Sequence, residues 1–180
     1  MGSQDQGISS SVGRYKTVPR TLCFMLHDDD VLLLRGAPDK RLWAHRYNGV
    51  GGHVERGEDV RAAALREVCE ETGWHEDEIE SLTLRGLINV DAGDPETGIL
   101  LFVFTGKPRQ RQTHASAEGT LEWIPRSRLL DCELVEDLPV LLPRILDLPD
   151  GASPLFGYYS YDQNDQLVIR FNDRHLPAKQ

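Results

Sequence analysis

Short alternating and continuous apolar runs dominate the chain, broken by polar turns and interrupted twice by helical spacing. Residues 18–26 and 31–34 read as two strands joined by a turn at His27-Asp28-Asp29-Asp30, a hairpin signal. The three aspartates need no metal in that reading; they are a solvated turn. Residues 82–90 and 99–105 predict two further strands around a turn-rich loop at 91–98, with Phe102 and Phe104 on one strand face in the core. A polar loop at 106–117 leads to a short strand at 121–125, where Trp123 packs, and a helical turn at 125–130. The closing segment 155–171 predicts a hairpin that turns near Asn164-Asp165.

Two stretches carry the helical period. From Asp59 to Gly73, Ala64, Leu65, Val68 and Thr72 share one face, Asp59 is an N-cap and Gly73 ends the helix in a left-handed turn. Apolar spacing over residues 136–148 predicts a second helix, with Pro139 in its first turn and Pro143 breaking or kinking it.

The first helix places Glu67, Glu70 and Glu71 at i, i+3 and i+4, where like charges repel and destabilise a helix. A bound divalent cation removes that repulsion, and oxygen-only ligands favour Mg2+ or Mn2+. A solvated acidic face is the competing reading of a charge run alone. Arg66 can reach Glu70 and back towards Glu58, holding a carboxylate in place without being a ligand.

The net charge of -9 sharpens this picture. An acidic chain lacks the basic track that nucleic-acid binding needs, and it requires cations before it accepts a polyphosphate. Length and a 39% hydrophobic fraction suit one globular domain, with residues 1–14 a disordered tail and 15–175 the folded unit. No apolar run is long enough to span a bilayer and no signal peptide opens the sequence, so a cytoplasmic, membrane-free protein, monomeric or homodimeric, is expected. Cys23, Cys69 and Cys132 are too scattered for a zinc site or a disulfide framework. Between residues 35 and 47, Arg35, Lys40, Arg41 and Arg46 either meet substrate phosphates or are ordinary surface charge; His45 and His53 read as exposed or structural.

The spacing Gly52, Glu58, Arg66-Glu67, Glu70-Glu71, Gly73-Trp74 resembles the Nudix box at every fixed position. The resemblance implies a Nudix hydrolase: an α/β fold, specifically an α/β/α sandwich around a mixed sheet, that cleaves the diphosphate linkage of a nucleoside diphosphate derivative. It implies catalytic roles for Arg66, Glu67 and Glu70, and a metal site of Glu67, Glu70 and Glu71 with the Gly51 carbonyl. It also implies one further acid from a loop outside the box, for which Glu118 is the candidate.

A second likeness, over about residues 20–171, is to the MutT-like branch that hydrolyses oxidised purine nucleoside triphosphates. Asn48, Glu136-Asp137 and Phe156-Gly157-Tyr158-Tyr159 carry it. Asn48 and the acidic pair would read a purine edge, Asn as donor and acceptor, carboxylates as acceptors. Equally, Glu136 and Asp137 could favour the following helix N-terminus. Where that branch places a stacking aromatic, this chain has Leu134. The implied substrate is a small-molecule nucleotide, a purine nucleoside triphosphate giving monophosphate and pyrophosphate. The alternatives are ADP-ribose, a dinucleoside polyphosphate, or a nucleotide-binding module that does not cut. Position 90 is Val where ADP-ribose hydrolases usually have proline, and the box retains the glutamates that non-catalytic modules lose.

Overall fold

The computed structural model describes residues 13–39, 43–113 and 118–172. The expected tail is therefore described only from Gly13, and Lys40 and Arg41 lie outside the described residues.

Two long strands form the spine. β1 (Lys16–His27) runs parallel to β5 (Thr97–Pro108), in register from Lys16↔Thr97 to Met25↔Gly106. β2 (Asp30–Gly36) folds back on β1 through a turn at which Asp28 takes φ 54°, as the sequence predicts. The strands β3 (Tyr47–Asn48), β4 (Ile79–Val90), β6 (Gly119–Pro125), β7 (Leu155–Tyr161) and β8 (Leu167–Phe171) complete a mixed sheet. Its order is β3-β2-β1-β5-β4-β7-β8, with β6 on the other edge of β2.

Strand alternation sorts the core into two layers. Leu22 and Phe24 face one side, where α2 (Leu138–Leu146) contributes Leu138, Leu141, Leu142 and Ile145. Cys23 and Met25 face the other side, where α1 (Val60–Thr72) contributes Ala64 and Val68. One helix on each face of a mixed sheet is the expected α/β/α sandwich. Phe104 is buried and Phe102 packs partly buried beside it, both on the α1 side.

A bulge between Leu84 and Gly86 reverses the faces within β4. Leu82 and Leu84 pack on the α1 side, whereas Ile88 and Val90 pack on the α2 side. The parallel pairing Val90↔Tyr159 then brings Tyr159 to the α2 side as well.

Several boundaries differ from the sequence reading. β4 starts at Ile79 and β5 runs to Pro108, so the polar loop before β6 is shorter than expected. α2 begins at Leu138 and continues through Pro143 without breaking. The proline removes one backbone donor, but four buried side chains on either side of it hold the short helix to the sheet, and the Asp147 N–H still closes the last turn on the Pro143 carbonyl at 3.1 Å. Trp123 packs as expected, its ring 6.3 Å from that of Trp74 and its indole N–H on the Arg111 carbonyl. The closing hairpin turns where expected, with Asp162 accepting the Asn164 and Gln166 N–H groups and Asp165 at φ 59°.

Candidate active site

α1 is fixed at both ends by its own sequence. Asp59 Oδ1 accepts the N–H groups of Arg61 and Ala62 at 2.8 and 3.0 Å, and Gly73 closes the helix at φ 75°. Between these caps, Ala63, Ala64, Leu65, Val68 and Thr72 are buried, and so is Glu71.

The segment before the helix runs antiparallel to β1. The Cys23 N–H donates to the Val50 carbonyl at 2.7 Å, and the Thr21 N–H to that of Gly52 at 2.8 Å. Gly51, between them, is left out of this pairing. Its N–H instead donates to Glu71 Oε1 at 3.1 Å, and its carbonyl, the one that the family resemblance implies as a metal ligand, is not spent on β1. Gly51 must be glycine: its φ is 147°, and a Cβ there would lie 2.3 Å from the Thr21 carbonyl oxygen. Gly52 is glycine for a different reason. A Cβ on it would sit 2.4 Å from Glu67 Oε1, so the missing side chain is the space that the carboxylate fills.

Arg66 offsets part of the remaining charge. Its guanidinium meets Glu58 at 2.8 Å, Glu67 at 3.0 Å and Glu70 at 3.3 Å, and donates to the His53 carbonyl at 3.0 Å. The hydrogen bond from Arg66, with one from the Glu55 N–H, holds the Glu58 carboxyl below the usual carboxylate range. Arg66 is pushed above its ordinary value in return, chiefly by Glu58. The three box carboxylates differ in access: the Glu70 side chain is 60% exposed and that of Glu67 16%.

Oxygen-only donors, a carboxylate seated in the Gly52 gap and a backbone carbonyl outside the sheet pairing fit a hard divalent cation. Among the described residues, no three His, Cys, Asp or Glu side chains converge tightly enough to hold an ion by themselves. Arg66 holds Glu67 and Glu70 in this arrangement. Mg2+ commonly takes only part of its shell from protein and the rest from water and phosphate.

Glu118 stands at the head of β6, exposed, with its backbone carbonyl accepting the Ala37 N–H at 3.2 Å. The backbone beside Asn48 and the segment that precedes the acidic pair are neighbours through Tyr47. The Tyr47 N–H donates to the Glu133 carbonyl at 2.8 Å, and its carbonyl accepts the Val135 N–H at 3.0 Å. Asn48 Oδ1 accepts the Gly49 N–H at 2.8 Å. Asp137 occupies the N-cap position of α2, yet its side chain makes no capping hydrogen bond. Burial, with the neighbouring Glu136 charge adding to it, pushes its carboxyl up to about 6. Leu134, at the place of the stacking aromatic, is buried in the α2-side core.

The sequence reading missed Tyr159 as a polar neighbour of Asp137. It is 3% exposed, its hydroxyl is buried without a hydrogen-bond partner, and burial and the Asp137 charge raise it above the usual tyrosine range. The bulged register of β4 puts it on that face, and Gly86, an isolated glycine inside the strand run, is the local signal that could have announced the bulge. Of the basic residues between 35 and 47, Arg35 is committed to the His45 carbonyl at 3.4 Å and the Tyr47 ring; His45 and His53 are exposed.

The family model described as NUDIX domain matches residues 16–145. The mouse oxidized purine nucleoside triphosphate hydrolase is 31% identical over 149 residues, 82% of this chain and 89% of that protein. An uncharacterized Nudix hydrolase of Bacillus subtilis, YvcI, is 29% identical over 164 residues, 87% of this chain and 95% of that protein. Among solved structures, the MutT protein of Bacillus halodurans superposes with a TM-score of 0.71 at 23% identity, covering 86% of this chain and 97% of that one.

Proposed function

Since the chain belongs to the Nudix family of hydrolases, which act on nucleoside diphosphate derivatives, we propose that it hydrolyses a purine nucleoside triphosphate to the monophosphate and pyrophosphate. The observation that carries this reading is the seating of two box carboxylates on two adjacent glycines, Glu71 on Gly51 and Glu67 on Gly52. In the reading, Glu67, Glu70 and Glu71, with the Gly51 carbonyl, hold Mg2+ or Mn2+, and Glu118 adds a further acid from outside the box. A cation bound there supplies neutralisation of phosphate charge and a more acidic bound water.

The chain's own residues do the remaining work. Glu71, buried and tied to the Gly51 N–H, fixes the loop that faces the phosphates. Arg66 fixes Glu67 and Glu70 relative to each other. Glu70 is the box carboxylate most open to water and accepts the proton as the water oxygen bonds to phosphorus. The phosphoanhydride P–O bond breaks and pyrophosphate departs with the bonding pair.

Base recognition is assigned to Asn48, Glu136 and Asp137. The backbone pairing of Tyr47, next to Asn48, with residues 133–135, just before the acidic pair, supports this, as does an Asp137 carboxyl that burial raises and that is unused as a cap. A carboxyl titrating near neutrality can accept from a purine N–H or, protonated, donate to a purine oxygen. The similarity to the mouse oxidised-purine hydrolase favours a purine over other nucleotides. The substrate in this reading is a free nucleotide of the cytoplasm, handled by a single domain over 15–175; no described helix is long and apolar enough to cross a membrane.

The test is a panel of 8-oxo-dGTP, dGTP, dCTP, ADP-ribose and a dinucleoside tetraphosphate, each with Mg2+, compared by kcat/KM. The purine triphosphates are expected to lead. A lead for ADP-ribose or the dinucleotide would displace the triphosphate assignment.

A further inference from the structure

Arg20 lies on β1 and forms an isolated bridge with His53, directly beside the Gly51-Gly52 junction. The adjoining bonds, Thr21 N–H to the Gly52 carbonyl and Val54 N–H to the Pro19 carbonyl, fix the strand on both sides of it. Alternation puts Arg20 on the same face as Leu22, and its register partner on β5 is Leu101; both pack on the α2 side. Arg20 therefore belongs to the box loop by its backbone and to the Asp137 side of the sheet by its side chain.

Its surroundings do not explain it. Arg66, Arg85, Arg111 and Arg126 each face a carboxylate within 3.1 Å. The Arg20 Nε, by contrast, is sealed from solvent with no hydrogen-bond partner. An Nε–H sealed from solvent without an acceptor loses hydration and recovers nothing within the fold. In a chain of net charge -9, carboxylates are plentiful, so a sealed guanidinium Nε–H with none against it points to an anion from outside.

We propose that Arg20 binds a phosphate of the substrate, holding the polyphosphate between the box loop and the base-recognition side. This extends the hydrolase reading above by naming a phosphate-binding residue outside the box. A planar guanidinium suits phosphate oxygens, and charge-assisted bonds are the stronger kind. The residue binds substrate and takes no part in moving the proton.

The experiment compares wild type, Arg20→Ala and Arg20→Lys by titration with dGMP and with inorganic pyrophosphate in EDTA, followed by ³¹P NMR, and by KM and kcat for dGTP with Mg2+. Wild type is expected to bind at least one of the two anions saturably without metal. Arg20→Ala is expected to weaken that binding about tenfold or more, the loss of one charge-assisted contact, with Arg20→Lys intermediate. KM for dGTP should rise by a similar factor while kcat changes less. The melting temperature of Arg20→Ala should match or exceed that of wild type, which a structural role would not allow. Equal anion binding by Arg20→Ala and wild type, or no metal-free binding of either anion by wild type, overturns the proposal. If no nucleotide is cleaved at all, the hydrolase reading fails, yet the EDTA titration still decides the role of Arg20.

Discussion

Glu71 Oε1 accepts the Gly51 N–H at 3.1 Å, tying the last carboxylate of the α1 cluster to the loop that precedes the helix. A glutamine can accept the same bond through its amide oxygen but cannot supply a second anionic oxygen. Glu71→Gln is therefore expected to fold with a melting temperature within about 4 °C of wild type, a change on the order of 1 kcal/mol or less. Its turnover with Mg2+ should fall about 100-fold or more, as for loss of several kcal/mol of charge stabilisation. Parallel thermal melts and steady-state rates check both halves.

Gly51 and Gly52 should fail differently. Gly51→Ala places a Cβ 2.3 Å from a backbone oxygen at φ 147°, so the strain falls on the fold, and a loss of about 2 kcal/mol or more is expected in denaturant melts. Gly52→Ala instead meets the flexible end of Glu67, at 2.4 Å. Its stability should change by about 1 kcal/mol or less, because the carboxylate can swing aside, while activity drops steeply. Equal stability losses in the two variants would remove the distinction between a backbone requirement and a carboxylate seat.

This contrast shows what the sequence could and could not disclose. Three glutamates at helical spacing, a capping Asp59 and a closing Gly73 are all local, and each stands where the pattern put it. The strands of the spine were equally legible, because apolar runs bounded by turns have few alternatives. The separate jobs of the two glycines were not, since each depends on an atom brought from a distant residue, Thr21 or Glu67. Pro143 misled because local propensity was overruled by the burial of Leu141, Leu142 and Ile145 around it. The Tyr159 hydroxyl and the stranded Arg20 Nε became visible only with strand register; for Tyr159 that register passes through the bulge at Leu84/Gly86, which Gly86 inside the strand run marks only weakly.

Arg66→Lys tests whether geometry or charge matters at the centre of the carboxylates. Lysine keeps one positive charge but cannot fork to Glu58, Glu67, Glu70 and the His53 carbonyl together. A drop of about tenfold or more in kcat with a smaller change in KM is expected, since the carboxylates would be present but misaligned. Full activity in Arg66→Lys would mean that charge alone suffices.

Asp137 sets a pH dependence whose sign follows from burial. Its carboxyl is raised from 3.8 to about 6, so between those values the folded state holds a proton that the unfolded state releases. Stability should therefore fall as pH rises from about 4 to 6 and stay lower above, by at most 2–3 kcal/mol from this one group. Asp137→Asn has no charge to bury, so its stability relative to wild type should be greatest above pH 6 and shrink towards pH 4. Melting curves of both proteins at intervals of pH measure the difference directly. A gap that does not change with pH would mean that Asp137 is not the buried acid described here.

In the proposed function, the carboxylates of α1, seated against Gly51 and Gly52, support hydrolysis of a nucleoside triphosphate to monophosphate and pyrophosphate. The most direct measurement is ³¹P NMR of dGTP incubated with the protein in Mg2+, alongside the same reaction in EDTA and with Glu71→Gln. The expected result is dGMP and pyrophosphate in the first tube and dGTP left almost entirely intact in the other two. Release of dGDP and phosphate, or equal turnover in all three, would contradict it.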